Sequence, residues 1–429
     1  MIPQIYSTLG NPNSLVPMAI KDIANSCGLT AGSYITGDKL EGKDRFIDEF
    51  GTQAIWLFGI PAYKKILDLT LYKILKIDPK FDVRNLNDTR KNILSKSIEY
   101  ADSSIKESMQ TAVKNPKFTK NLAMGKFIVS TLLTIITYAG LTKYRHKTTE
   151  KAAKKEILQE MNQNPAPTPI EKPSMEKFTG QPSFTGGIQE FMYNPVKNLM
   201  ILDASITTER LAHSRNRQDL IGYTIKEGTF WAFMYFASKP IQKFLENRVD
   251  KNTKKPASID LDARVIESKD LETAIKNGTL KDSVAKVLKL ETSEQLLDFI
   301  HNNPEDFTVK MAKMSDVIPT IKDAKQADNV DYRKFIDFDE FKDVAQKLNK
   351  LQNKFEAFKL ADVKDKSLEA FLKTVKKAKR MSVLANIGAC IGVLGIIAPA
   401  IMVAVRKYGN NNDAFQVKED LKKKMDANA

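Results

Sequence analysis

MSVLANIGACIGVLGIIAPAIMVAV, Met381 to Val405, carries no charge over 25 residues, and eleven of them are Leu, Ile or Val. As a helix it would be about 37 Å long, enough to cross a hydrocarbon core of about 30 Å. Lys376, Lys377 and Arg380 precede it, and Arg406, Lys407 and Tyr408 follow. Basic and aromatic residues at both ends suit the two headgroup layers. The pattern predicts a transmembrane helix over 381–405, with a basic polar tail over 406–429.

A second apolar run, FIVSTLLTIITYAGLT (Phe127 to Thr142), is bracketed by Lys126 and Lys143. Its 16 uncharged residues reach about 24 Å as a helix, and the bracketing lysines can extend the reach by snorkelling. A transmembrane helix is therefore expected over 126–143. Within fifteen residues of the two spans, twelve Lys and Arg lie on the ends facing the intervening loop and seven on the outer ends. The positive-inside rule then places that loop in the cytoplasm.

Two shorter runs share a pattern. GTQAIWLFGIPAY (Gly51 to Tyr63) and GTFWAFMYFASKP (Gly228 to Pro240) each begin Gly-Thr, hold one of the two tryptophans and meet a proline. Runs of this length are core, interfacial or re-entrant helices more often than spans. Extending the second one upstream brings in Lys226 and Glu227. A lysine at mid-membrane costs about 3 kcal/mol, while three phenylalanines return only about 1.5 kcal/mol. The segment can enter a bilayer only if partner helices satisfy an intramembrane pair of Lys226 and Glu227, so an interfacial or re-entrant helix is the expectation for both runs.

The remaining chain reads as polar and helical. A helical region is expected over 1–120, a Pro-rich linker over 162–187 and an amphipathic, aromatic membrane-associated region over 188–247. A soluble helical domain follows over 263–379. Thr292-Ser-Glu-Gln295 is a capping box opening a helix that stops before Pro304. Phe341, Val344, Leu348, Leu351, Phe355 and Phe358 follow a 3-4 spacing that predicts one buried seam. The fold class is mainly α: a helical integral membrane protein with two transmembrane helices, one or two short interfacial or re-entrant helices and a soluble helical region.

Lys and Arg outnumber Asp and Glu by 67 to 52, giving a net charge of +15. Such a surplus favours anionic partners. Because the basic clusters hug apolar segments and no aromatic-interleaved basic motif occurs, anionic lipid is expected and nucleic acid is not. Arg210, Arg215, Arg217, Lys376, Lys377 and Arg380 are the candidate lipid contacts. Gly388 and Gly392 form a small-xxx-small motif with Ala385, Ala389 and Gly395 nearby, which predicts a helix–helix contact, with Phe127–Thr142, another protein or, by self-association, a second copy of the chain as partner. No nucleotide, metal or nucleophile motif is found, and the three histidines (His146, His213, His301) lack ligand spacing. No catalytic residue, metal site or cofactor is expected. Cys27 and Cys390 are too few and too separated for a disulfide framework.

The start of the chain lacks the pattern of a cleavable leader, and with the scarcity of cysteine this points to a bacterial inner membrane. The functional expectation is a membrane-anchored structural or interaction protein. The alternatives are a transporter or channel component built on the broken segments 51–63 and 220–240, and an enzyme without a recognisable motif.

Overall fold

A computed structural model describes residues 2–11, 14–36, 39–161, 188–214, 217–253, 259–322, 329–360, 365–408, 421–422 and 425. The helices, in chain order, are α1 (Ile2–Gly10), α2 (Leu15–Thr36), α3 (Lys39–Leu67), α4 (Lys73–Leu75), α5 (Lys91–Tyr100), α6 (Ser103–Lys114), α7 (Pro116–Met161), α8 (Ile188–Tyr193), α9 (Pro195–Ala212) and α10 (Arg217–Trp231). Then come α11 (Ser238–Thr253), α12 (Ala263–Glu267), α13 (Lys269–Lys276), α14 (Thr279–Lys289), α15 (Ser293–Asn302), α16 (Phe307–Met314), α17 (Phe338–Leu360), α18 (Leu368–Gly392) and α19 (Ala398–Tyr408). Among the described residues no strand occurs, only an isolated antiparallel bridge between Thr320 and Val330. The chain is mainly helical, and the proposed linker 162–187 lies outside the described residues.

Two helices are long and apolar enough to cross a membrane, Pro116–Gln159 and Leu368–Val405, with mean hydropathy of 1.6 and 2.4 in their most apolar windows. Both outrun the apolar runs that mark them. The helix continues through polar residues because nothing at either end breaks it: Lys, Glu, Ala and Gln are all good helix formers. The two short apolar runs are not isolated helices either. Gly51–Tyr63 lies within the 29 residues of α3, and Gly228–Pro240 runs from α10 through a π-helical turn at Ala232–Phe236 into α11.

The chain divides into two compact units, one of Met1–Pro17, Ile66–Lys126 and Lys239–Ile387, the other of Met18–Lys65, Phe127–Ser238 and Gly388–Ala429. The single region expected over 1–120 is therefore split, with Met18–Lys65 in the second unit.

The first unit is built round an apolar core. On α17 the residues Phe341, Val344, Leu348, Leu351, Phe355 and Phe358 are all buried, and the last five share one core with Leu280 and Val284 of α14 and Phe371 and Val375 of α18. Phe371 packs on Phe355 and Phe358 with ring centroids 5.3 Å apart. Thr292 accepts from the Gln295 amide at 3.2 Å, and the Gln295 side chain accepts from the Thr292 amide at 3.2 Å. Thr292→Ala should cost about 1 kcal/mol, the usual loss for an N-cap, read as a shift of the urea midpoint with unchanged slope. At one edge, Lys96 and Tyr100 of α5 donate to Asp298 of α15 at 2.6 and 2.8 Å, and the Lys96 bond holds this carboxyl below its ordinary range.

The second unit is built differently. α2 and α3 run antiparallel, with Gln53 bonded to the Ala19 carbonyl and Gly42 against Tyr34. α3 and α7 are also antiparallel, since Gly51 faces Leu141 and Gly59 faces Thr134. α9 and α10 form another antiparallel pair, through Thr207 with Trp231 and Arg210 with Glu227. The apolar tract after Gly388 lies parallel to α2: Ala24 meets Gly395, Gly28 meets Pro399 and Gly32 meets Val403. By this chain of contacts the two long apolar tracts point the same way. Consecutive membrane spans alternate in direction, so the sidedness count, which treats them as a pair of consecutive spans, does not apply to this arrangement.

Candidate functional site

Asp44, Arg45, Asp48 and Glu49 recur on α3 at the spacing that stacks side chains on one helix face. That face is turned inward: all four are buried, together with Glu41, Thr52, Gln53 and Trp56. Phe46 and Phe58 of the same helix are 51% and 67% exposed. α7 repeats the pattern, with Ser130, Thr131 and Thr134 buried and Ile128, Leu132 and Ile136 exposed.

The buried charges form one network. Asp48 takes Arg145 at 2.7 Å and Arg210 at 3.4 Å, and Arg45 lies 3.6 Å from both Asp48 and Glu49. Lys226 reaches Glu49 at 2.8 Å, and Arg210 reaches Glu227 at 2.7 Å. Hydroxyls complete the bonding: Thr207 donates to Glu227 at 2.8 Å, Thr149 donates to Asp44 at 2.7 Å, and Arg210 donates to Thr52 at 3.2 Å. Arg210 also lies over the Tyr138 ring at 5.9 Å. Desolvating each ion costs several kcal/mol, and such a network persists only when its members stay paired.

A cavity of about 20 Å³ opens within the network, lined by Asp22 and Asn25 of α2, Glu49, Thr52 and Trp56 of α3, Asp203, Ile206 and Arg210 of α9, and Lys226, Glu227 and Phe230 of α10. That volume holds about one water or a monatomic ion. Four acids and two bases line it, a balance that suits a cation.

Several sequence expectations shift here. Lys226 and Glu227, the expected intramembrane pair, are buried, and their partners come from α3 and α9. Arg210 is 6% exposed and internally paired, so it is no lipid contact. Arg215 is outside the described residues, and Arg217 begins α10. Arg380 is bonded to Glu267 at 2.7 Å and lies over Tyr6 in the first unit, while Lys377 is exposed and Lys376 half-buried. The small-residue contact is made through Gly395, against Ala24 and Gly28 of α2. Gly388 and Gly392 have nothing within 4 Å of where a side chain would begin, Ala389 is exposed and Ala385 half-buried. The partners seen for this helix are thus α2 and, through Gly222 against Met402, α10, where Phe127–Thr142 was expected.

The residues missed by sequence reading are Asp22, Asp44, Arg45, Asp48, Glu49, Arg145 and Asp203. One signal was present: Lys21 and Asp22 are the sole charges in α2, and Asp203 is the sole acid in the first thirteen residues of α9. A lone carboxyl in an apolar helix is expensive unless it is used. His301 is stacked on Tyr100 at 3.8 Å and bonded to Tyr332; among the described residues no cluster of His, Cys, Asp and Glu could hold a metal ion. Comparison with family models, curated proteins and solved structures finds no match to this chain.

Proposed function

We propose that the protein is a membrane-embedded helical protein whose second unit passes or binds a small cationic species at the cavity around Asp22, Asp203, Glu49 and Glu227. The observation that carries this reading is the inverted polarity of α3 and α7: charge and hydroxyls inside, Phe46, Phe58, Ile128, Leu132 and Ile136 outside. In water a helix turns the opposite face inward; in lipid, ionisable groups turn to the bundle interior and pair, and mark ion pathways. The polar charge α10 would otherwise carry into the bilayer is met by Glu49 and Arg210. This reading predicts that the full-length protein sediments with membranes and resists alkaline carbonate extraction. Purified and reconstituted, it should dissipate an imposed cation or proton gradient in liposomes. Extraction by carbonate overturns the first part, and tight liposomes overturn the second.

A second reading rests on connectivity. Two tracts that cross in the same direction need an odd number of crossings between them, and the antiparallel pair α9 and α10 supplies two. The third would fall between α7 and α9, where the sequence has no apolar run. Irregular backbone at membrane depth is tolerated only when protein shields it. A structural or interaction protein, whose apolar faces are covered by partner chains in water, escapes that demand. It predicts a discrete oligomer in the detergent-free supernatant.

A further inference from the structure

We infer that the second unit is an internal duplication, and that Asp22 and Asp203, the same position in its two copies, form a proton-binding pair of carboxyls at the cavity. This deepens the cation reading above by naming the proton as the species handled.

The duplication is written in the order of parts. Asp22 and Asp203 each follow an asparagine, Asn13 and Asn194, by nine residues. Each sits on the first helix of a hairpin whose second helix carries Gly-Thr (Gly51-Thr52, Gly228-Thr229) and a tryptophan (Trp56, Trp231). Each hairpin then leaves for the first unit, over Ile66–Lys126 and over Lys239–Ile387, and returns as an apolar helix. Both apolar tracts end in Lys-Tyr, at Lys143-Tyr144 and Lys407-Tyr408.

The contacts obey the same correspondence. Aligning the aspartates pairs Leu29 with Arg210, and aligning the Lys-Tyr ends pairs Met402 with Tyr138. Leu29 and Met402 line one small cavity together, and Arg210 lies over Tyr138, so the equivalent pairs are neighbours in both copies. Glu49 and Lys226, each two residues before its Gly-Thr, bond to one another at 2.8 Å. Equivalent residues touch only beside the axis that relates the copies, so the axis passes beside the cavity.

Charge balance then sets the state of the pair. Among the described residues, the charged side chains of the second unit that are buried or line the cavity are the bases Lys21, Arg45, Arg145, Arg210 and Lys226 and the acids Glu41, Asp44, Asp48, Glu49, Asp203, Glu227 and Asp22. The acids exceed the bases by two. Among the described residues, Asp22 and Asp203 have no basic group within ion-pair distance: Asp203 accepts from the Tyr235 hydroxyl, and Asp22 has no hydrogen bond. Asp22 is faced by Glu49 from α3, by Arg210 from α9 and by Lys226 and Glu227 from α10. Asp203 is faced by Tyr235 from the π-helical turn at Ala232–Phe236, Glu227 from α10, Trp56 from α3 and Asp22 from α2. An uncompensated carboxylate in such a site takes up a proton instead of staying charged. Two protons make the network neutral.

Asn25 supplies the independent sign of a ligand at this place. It is 1% exposed, lines the cavity, and its amide nitrogen has no partner. A water held by Asn25 beside the two aspartates would accept their proton: the carboxyl O–H breaks, an O–H forms on water, and a carboxylate remains.

Infrared difference spectroscopy on the purified full-length protein, in detergent or in buffer, tests this without any transport assay. Wild type should show protonated-carboxyl C=O bands that shift in D₂O and vanish as pH is raised. Asp22→Asn and Asp203→Asn should each remove one component, and the double variant should remove both with folding retained, since the amide copies a neutral acid. Bands that persist in the double variant, or their absence from wild type in acid as well as neutral buffer, overturn the inference. Should the bands behave as expected while liposomes stay tight, the proton site stands and the transport reading falls.

Discussion

Arg210→Ala should cost about 3–5 kcal/mol, the usual loss when one partner of a buried ion pair is removed, and should be the most damaging single change in the second unit. The guanidinium holds Glu227 at 2.7 Å, Asp48 at 3.4 Å and Thr52 at 3.2 Å, with both ion pairs below 7% exposure. Truncation leaves Glu227 dependent on Lys226, 3.8 Å away, and removes one of the bases that offset Asp48. The damage belongs to the orphaned carboxylate, so Arg210→Ala combined with Glu227→Gln should recover part of the loss. A double-mutant cycle on denaturation midpoints measures that recovery. Strictly additive losses would show that the two residues do not act as a pair. Arg210→Lys should recover less, because an ammonium cannot span Glu227, Asp48 and Thr52 at once.

Gly28→Leu should disrupt the packing of α2 on the C-terminal apolar tract, at a cost of about 3 kcal/mol or more, the upper end of overpacking losses. Pro399 has no N–H to offer the Gly395 carbonyl one turn earlier, and a π-helical turn at Val393–Ile397 adjoins it. The Gly395 carbonyl turns to α2 instead, where a Cβ on residue 28 would sit 2.1 Å from it. That carbonyl is backbone, which cannot swing aside as a side chain can, and the Pro399 ring, 2.9 Å from the same point, is fixed to its own backbone. Gly388→Ala and Gly392→Ala, on a face with open space, should be neutral or stabilising by up to about 1 kcal/mol, from helix propensity alone. Thermal unfolding of the three variants separates the two faces. Equal losses at all three positions would mean that the Gly388 face is packed as well.

Local rules were enough where the answer is local. The capping box at Thr292, the seam from Phe341 to Phe358 and the apolar tract ending at Val405 depend on spacing within a turn or two of helix, and sequence alone carries that spacing. The charge of α3 and α10 is another matter. Asp48, Glu49, Lys226 and Glu227 look like reasons to end an apolar helix, because an unpaired ion is expensive to bury. Their partners lie 177 residues apart for Glu49 and Lys226 and 162 for Asp48 and Arg210, so only the tertiary structure shows the cost to be offset. The same distance hid the site. Arg210 reads as a surface arginine until α3 and α10 are placed against it, and Asp22 and Asp203 are single carboxyls until the fold brings both to one cavity. Composition and periodicity fixed which segments are helical and which faces are apolar; pairing across the chain decided which of those faces turns inward, because an ion is stable indoors only beside its counterion.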